Sequence, residues 1–244
     1  GATRDLASWE IRQGAIALLW RVAAADKDRE TEGPDKEVIK ALIDSLQTKT
    51  NTAAVRLEAL MGLANLGKPA DKEMQKRLVD ALANFAKGPS QPHLVTPSSM
   101  ARSIWACAAL AHMREKHEVL SSSPSDRIIG LLKKGSLATR AHAVAALATL
   151  GKTASRHVPH LLALLDSKEL LLVHASCNAL VMIGDKDNVV SDKFVTLVTP
   201  KDLESELENA RSAAAMQALF ALEAKRPKVL EALQKLKEND KADA

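Results

Sequence analysis

Histidine, cysteine and carboxylate clusters are the first places to look for chemistry, and all seven histidines fall between residues 93 and 174. His157 and His160 stand three apart, a spacing that turns two imidazoles toward one metal on a helix. Pro159 between them marks a helix start, and no third ligand accompanies them, so the pair reads as solvated. His112, His142 and His174 belong to separate helices and do not converge on one ion. Asp185, Asp187 and Asn188 resemble the opening of a calcium loop. Val190 stands where that loop needs its glycine and Thr196 where it needs a bidentate Glu, so the segment reads as a turn. No nucleophile motif, glycine-rich phosphate loop or HExxH motif is present. The residues therefore imply no enzyme, no cofactor and no metal centre.

Composition narrows the class further. The chain has 244 residues, 46% hydrophobic and 26% charged, but only 2% aromatic. So few aromatic residues argue against a β-sandwich or barrel. No apolar run approaches the ~18 residues of a membrane span, and no cationic start with an apolar h-region marks a signal peptide. The net charge of +4 is spread evenly over both halves. That is weak support for a nucleic-acid partner. The local exception is the acid-free stretch 127–156, which carries Lys133, Lys134, Arg140, Lys152 and Arg156.

Three segments align without gaps: VRLEALMGLANLG at 55–67, TRAHAVAALATLG at 139–151 and LVHASCNALVMIG at 172–184. Weaker copies occupy 11–23, 102–114 and 211–223. With Arg12, Arg56, Ser103, Arg140, Val173 and Ser212 as position zero, position +7 is Leu in all six copies. Positions +3, +4, +7 and +10 share one face of a helix and form the expected core. Small residues at +6 permit close helix approach. Gly67, Gly151 and Gly184 stand where a helix takes a left-handed C-cap. An apolar-striped helix precedes each copy from the second onward, and another is expected at 228–237. Such hairpins cannot bury their apolar faces singly and must stack.

The repeat resembles the HEAT-repeat family, and more narrowly the short bacterial HEAT-like repeats also found in phycobilisome lyases. The resemblance implies an all-α, right-handed α-α superhelix of about six helical hairpins, the first incomplete. It would run as one solenoid over residues 1–238, with a frayed tail at 239–244. The family's usual Asp, six residues before the Arg that opens the second helix, is replaced by Thr50 and Lys134 here. Deoxyhypusine hydroxylases share such repeats but need paired His–Glu dipeptides, and His117–Glu118 is the only one. HEAT-like DNA glycosylases look aromatic-rich with a basic groove, unlike this chain.

In the resembling family the second helices line the concave surface. Positions +2, +5 and +9 are expected to point away from the core, and only Arg21 and Glu58 among them are charged. The expected partner face comprises Trp105, His112, His142, Met61, Asn65, Asn178 and Met182. It suits a protein or peptide. Trp105 is its expected hot spot, worth about 2 kcal/mol or more. The alternative is electrostatic nucleic-acid binding through Lys133, Lys134, Arg140, Lys152 and Arg156. The segments 24–36 and 87–99 read as loops. The first copy lacks a preceding helix, so either a segment was removed or residues 1–8 fold back as a cap. The chain is expected as a monomer or as part of a larger polypeptide. Cys107 and Cys177 lie two repeats apart, roughly 20 Å at helix-packing distances, too far for a disulfide. Reduced thiols are compatible with cytoplasm, and export stays open.

Overall fold

The computed structural model describes residues 2–25, 34–89, 95–113, 123–185, 188–199 and 205–223. Every regular element among them is helical. The chain divides into two compact units, Gly1–Thr149 and Leu150–Ala244, each of which follows by itself.

The first unit holds α1 (Ala2–Ala25), α2 (Lys36–Gln47), α3 (Ala53–Leu66), α4 (Lys72–Lys87), α5 (Pro97–Met113), α6 (Pro124–Lys134) and α7 (Leu137–Thr149). The helices α2, α4 and α6 that precede repeat helices each bury one stripe. In α2 it is Ile39, Leu42, Ile43 and Leu46, at offsets 0, 3, 4 and 7 on one helix face. Their starts are fixed by side chains that accept the free amide hydrogens: Asp35 for α2, Asp71 for α4 and Ser123 for α6. The repeat helices stack on one another, α1 on α3, α3 on α5 and α5 on α7. α5 is enclosed by α3, α4, α6 and α7. Every residue from Ser103 to Leu110 is buried, so this helix has no solvent face along that stretch.

The second unit opens with a 3-10 turn (Gly151–His157), followed by α8 (Val158–Leu164), α9 (Leu170–Ile183), α10 (Val189–Val198) and α11 (Glu206–Glu223). α9 packs on α8 and α11, and α10 on α11. The expected helix at 228–237 lies outside the described residues, as does the tail.

The core template holds in α3, α5, α7 and α9, where +3, +4, +7 and +10 are all buried. It fails in α1. Val22 takes position +10 yet is exposed, along with Ile11 and Leu18, because no first helix among the described residues covers that side of α1. α1 also begins at Ala2, so the residues before the repeat lengthen the helix and do not fold back as a cap. The expected loop at 87–99 is shorter than its composition suggested. Thr96 and Ser99 exchange side-chain and backbone hydrogen bonds and start α5 at Pro97, whose missing N–H costs nothing there. Gly67, Gly151 and Gly184 have positive φ, as their positions required. Gly62, at a +6 position, lies so close to Trp20 that a Cβ would stand 2.8 Å from the indole Cγ.

Candidate functional site

In three of the six copies, position zero of the repeat performs a job that its changing residue type conceals. On α3, Arg56 Nη2 donates to the carbonyl oxygens of Thr48 at 3.1 Å and Lys49 at 3.4 Å, just after α2. On α5, Ser103 Oγ donates to the Ala86 carbonyl at 3.0 Å, in the last turn of α4. On α11, Ser212 Oγ donates to the Val198 carbonyl at the end of α10. A short buried hydroxyl and a long guanidinium thus both satisfy carbonyls that helix geometry leaves open. Asn51 contributes too: its Nδ2 donates to the Ser45 carbonyl at 2.8 Å, and its Oδ1 accepts from Arg12 Nη1 of α1 at 3.2 Å.

The expected partner residues divide sharply by environment. Trp105 is 3% exposed. This corrects the expectation that it points outward. Position +2 of an inner repeat helix faces the neighbouring repeat helix, and Trp105 packs edge-on against His142 of α7, ring centroids 6.4 Å apart. Its Nε1 donates to His142 Nδ1 at 3.2 Å, so His142 accepts there through an unprotonated nitrogen. Burial lowers the pKa of His142 below its usual value. Glu58, at the same +2 position of α3, is buried as well. Its Oε1 accepts from Trp20 Nε1 at 3.0 Å and Arg21 Nη2 at 3.4 Å, both on α1. Arg21 also lies 5.1 Å from the Trp20 ring centroid. Met61, Asn65 and His112 are half-buried, and Asn65 Nδ2 donates back to the Met61 carbonyl at 2.8 Å.

In the second unit positions +5 and +9 are open, while +2 is half-buried at Ala175 and buried at Ala214. On α9, His174, Asn178 and Met182 are exposed together with Leu171, at successive spacings of three or four residues that keep them on one face. None of the 14 residues of α9 is Asp, Glu, Lys or Arg. α11 packs on α9 and exposes Ala213, Gln217, Phe220 and Ala221 along a stretch without charge from Ser212 to Leu222. Leu171 at 54%, Met182 at 58% and Phe220 at 50% are large apolar side chains left in water. Of the expected partner residues, Asn178 and Met182 are thus exposed on α9, while in the first unit the largest, Trp105, is core.

The basic stretch is split between the units. Lys133 and Lys134 are exposed in the last turn of α6, where cations suit the helix dipole. Arg140 is half-buried, with its Nε buried and unpartnered. Lys152 and Arg156 lie exposed on the 3-10 turn, Arg156 Nε donating to His157 Nε2 at 3.1 Å. His157 stacks on His160, centroids 6.5 Å apart. Among the described residues no three His, Cys, Asp or Glu side chains are grouped to hold a metal. The resemblance of Asp185 to a calcium loop has a simpler basis. Its carboxylate accepts from the amides of Val190 at 3.0 Å and Ser191 at 3.1 Å, capping α10, while Asn188 takes the left-handed conformation at φ 61°. Asp187 lies outside the described residues. Cys107 and Cys177 are free and buried, and burial pushes their thiols up to about 12 and about 11. No helix among the described residues is long and apolar enough to cross a membrane. No family model matches the chain, and no curated protein matches it.

Proposed function

We propose that the chain is a non-enzymatic protein–protein interaction scaffold, built as a HEAT-like right-handed superhelix of helical hairpins, that binds a protein segment along its repeat helices. The alternation of one-stripe helices with repeat helices that stack on one another supports the architecture. The uncharged open face of α9 and α11 carries the functional reading. A solvated helix face ordinarily bears charges, and this one offers Leu171, Met182 and Phe220 among Asn178, His174 and Gln217. Apolar anchors rimmed by uncharged hydrogen-bonding groups suit an amphipathic helix laid across the two helices. Trp105 and His142 serve this reading as the bond between neighbouring repeat helices, not as contacts.

The test is binding of a retained partner by the wild type, Met182→Lys and Phe220→Lys. Both positions are exposed, so the substitutions leave the core intact. Loss of about tenfold or more in affinity in both, with partner retention indifferent to nuclease, is the expected result. Retention that survives both substitutions contradicts the reading. Retention that disappears with nuclease and falls steeply with salt assigns the interaction to the basic stretch instead.

A further inference from the structure

Ile11 at 72%, Leu18 at 65% and Val22 at 63% are the three most exposed large apolar side chains among the described residues, and all three stand on α1. Ala15 and Ala25 are exposed beside them. Ile11, Ala15, Leu18, Val22 and Ala25 follow one another at steps of four, three, four and three. At about 100° per residue they lie within roughly 80° of arc, the seam that a helix offers to one partner helix. Trp20 takes the opposite side, where its Nε1 donates to Glu58 of α3 at 3.0 Å and its ring crowds Gly62. The packing of α1 on α3 therefore leaves the seam in water. No seam residue is charged, and the flanking cations are held by the chain itself, Arg12 by Asn51 and Arg21 by Glu58. Gly14, at the seam's edge, has nothing within 4 Å of the place its Cβ would take, so no contact inside the chain accounts for a residue that weakens helices.

We propose that this seam is a self-association surface, on which α1 of a second copy lies antiparallel to α1 of the first. A two-fold axis level with Ile16 and Ala17 sets Ile11 against Val22 of the second copy and Ala15 against its Leu18, and each pair occurs again by symmetry. The large side chain meets the small one near the axis and branched side chains meet at both ends, so every layer fills. A parallel pair stacks Ala15 on Ala15 and leaves that layer empty. The flanks agree with the antiparallel arrangement. Arg21 passes over Gly14 of the second copy, whose missing side chain makes room for the arginine stem, and Arg12 passes over Leu19, so no two like charges face each other. A seam of about four turns falls below the ~1,200 Å² at the small end of specific interfaces, so it holds two copies weakly and reversibly. It goes beyond the expected monomer. It uses none of the α9–α11 residues, so it stands or falls separately from the proposed function.

The experiment is analytical ultracentrifugation of the full chain over roughly 1 μM to 1 mM, the range in which a small interface populates both states. Wild type is expected to pass reversibly from monomer to dimer and to stop at two copies, because a two-fold pairing closes. Leu18→Glu brings two carboxylates to the seam near the axis and is expected to weaken the dimer at least tenfold, and Ala15→Lys should do the same with two ammonium groups. Both positions are exposed, so neither substitution should change helicity at the lowest concentration. Mixing the two variants is expected to restore a dimer, since Leu18→Glu in one copy then faces Ala15→Lys in the other. Met182→Lys is the control and should dimerise as wild type does. A wild type that stays monomeric throughout overturns the proposal and leaves the seam to another segment of the chain or to a different partner. So does a dimer that survives Leu18→Glu, growth past two copies, loss of the dimer in Met182→Lys, or a mixture that stays monomeric.

Discussion

Replacing Trp105 separates a packing role from a contact role. The indole is buried at 3% exposure on a helix enclosed by α3, α4, α6 and α7. Trp105→Ala removes its whole burial and leaves a cavity that surrounding helices refill only in part, which costs about 3–5 kcal/mol. Trp105→Phe keeps most of the ring but removes the donor to His142 Nδ1, which costs on the order of 1 kcal/mol. The same bond has a pH signature. Burial holds the pKa of His142 below its ordinary 6.5 in the folded protein, so the unfolded chain binds the proton more readily. Its contribution to stability is present above 6.5 and is lost as pH falls toward the depressed folded value. Urea unfolding of the full chain at pH 7.5 and 5.5 reads all of this. Wild type should lose more stability on acidification than His142→Leu. A Trp105→Ala protein within about 1 kcal/mol of wild type would refute the packing argument, and so would equal acid sensitivity in wild type and His142→Leu.

Gly62→Ala tests the close approach of α1 and α3. Its Cβ would meet Trp20 at 2.8 Å, so a substitution that usually favours a helix should here cost about 1–3 kcal/mol in denaturant unfolding. Gly14, with nothing near its missing Cβ, should tolerate Ala. The thiols give a third check. With Cys107 raised to about 12 and Cys177 to about 11, alkylation of native protein at pH 8 should be slow at both and become fast in denaturant. Rapid labelling of native protein would mean that α5 or α9 opens far more readily than its burial implies.

The helical class and the core template were legible because a 3.6-residue apolar period recurs six times, and period is the signal that burial leaves in sequence. The helix-capping role of Arg56, Ser103 and Ser212 was not. Those residues differ in size and charge, and only the position of the carbonyls they reach makes them equivalent. Trp105 was misjudged for a related reason. An angle around one helix tells which residues leave its own hairpin's core, but the face at +2 meets the next repeat helix, and that neighbour is a property of the stack. Met182 and Asn178 stay exposed at +9 and +5 because α9 leaves that side open. Asp185 resembled the opening of a calcium loop because capping a helix and holding a cation both need a carboxylate in a tight turn.

The most direct test of the scaffold reading is affinity for the retained partner, measured side by side for wild type, Met182→Lys, Phe220→Lys and Lys134→Glu, with and without nuclease. The account predicts a protein partner lost in the first two variants, kept by Lys134→Glu and indifferent to nuclease. Unchanged affinity in both Met182→Lys and Phe220→Lys, with loss in Lys134→Glu or after nuclease, would contradict it.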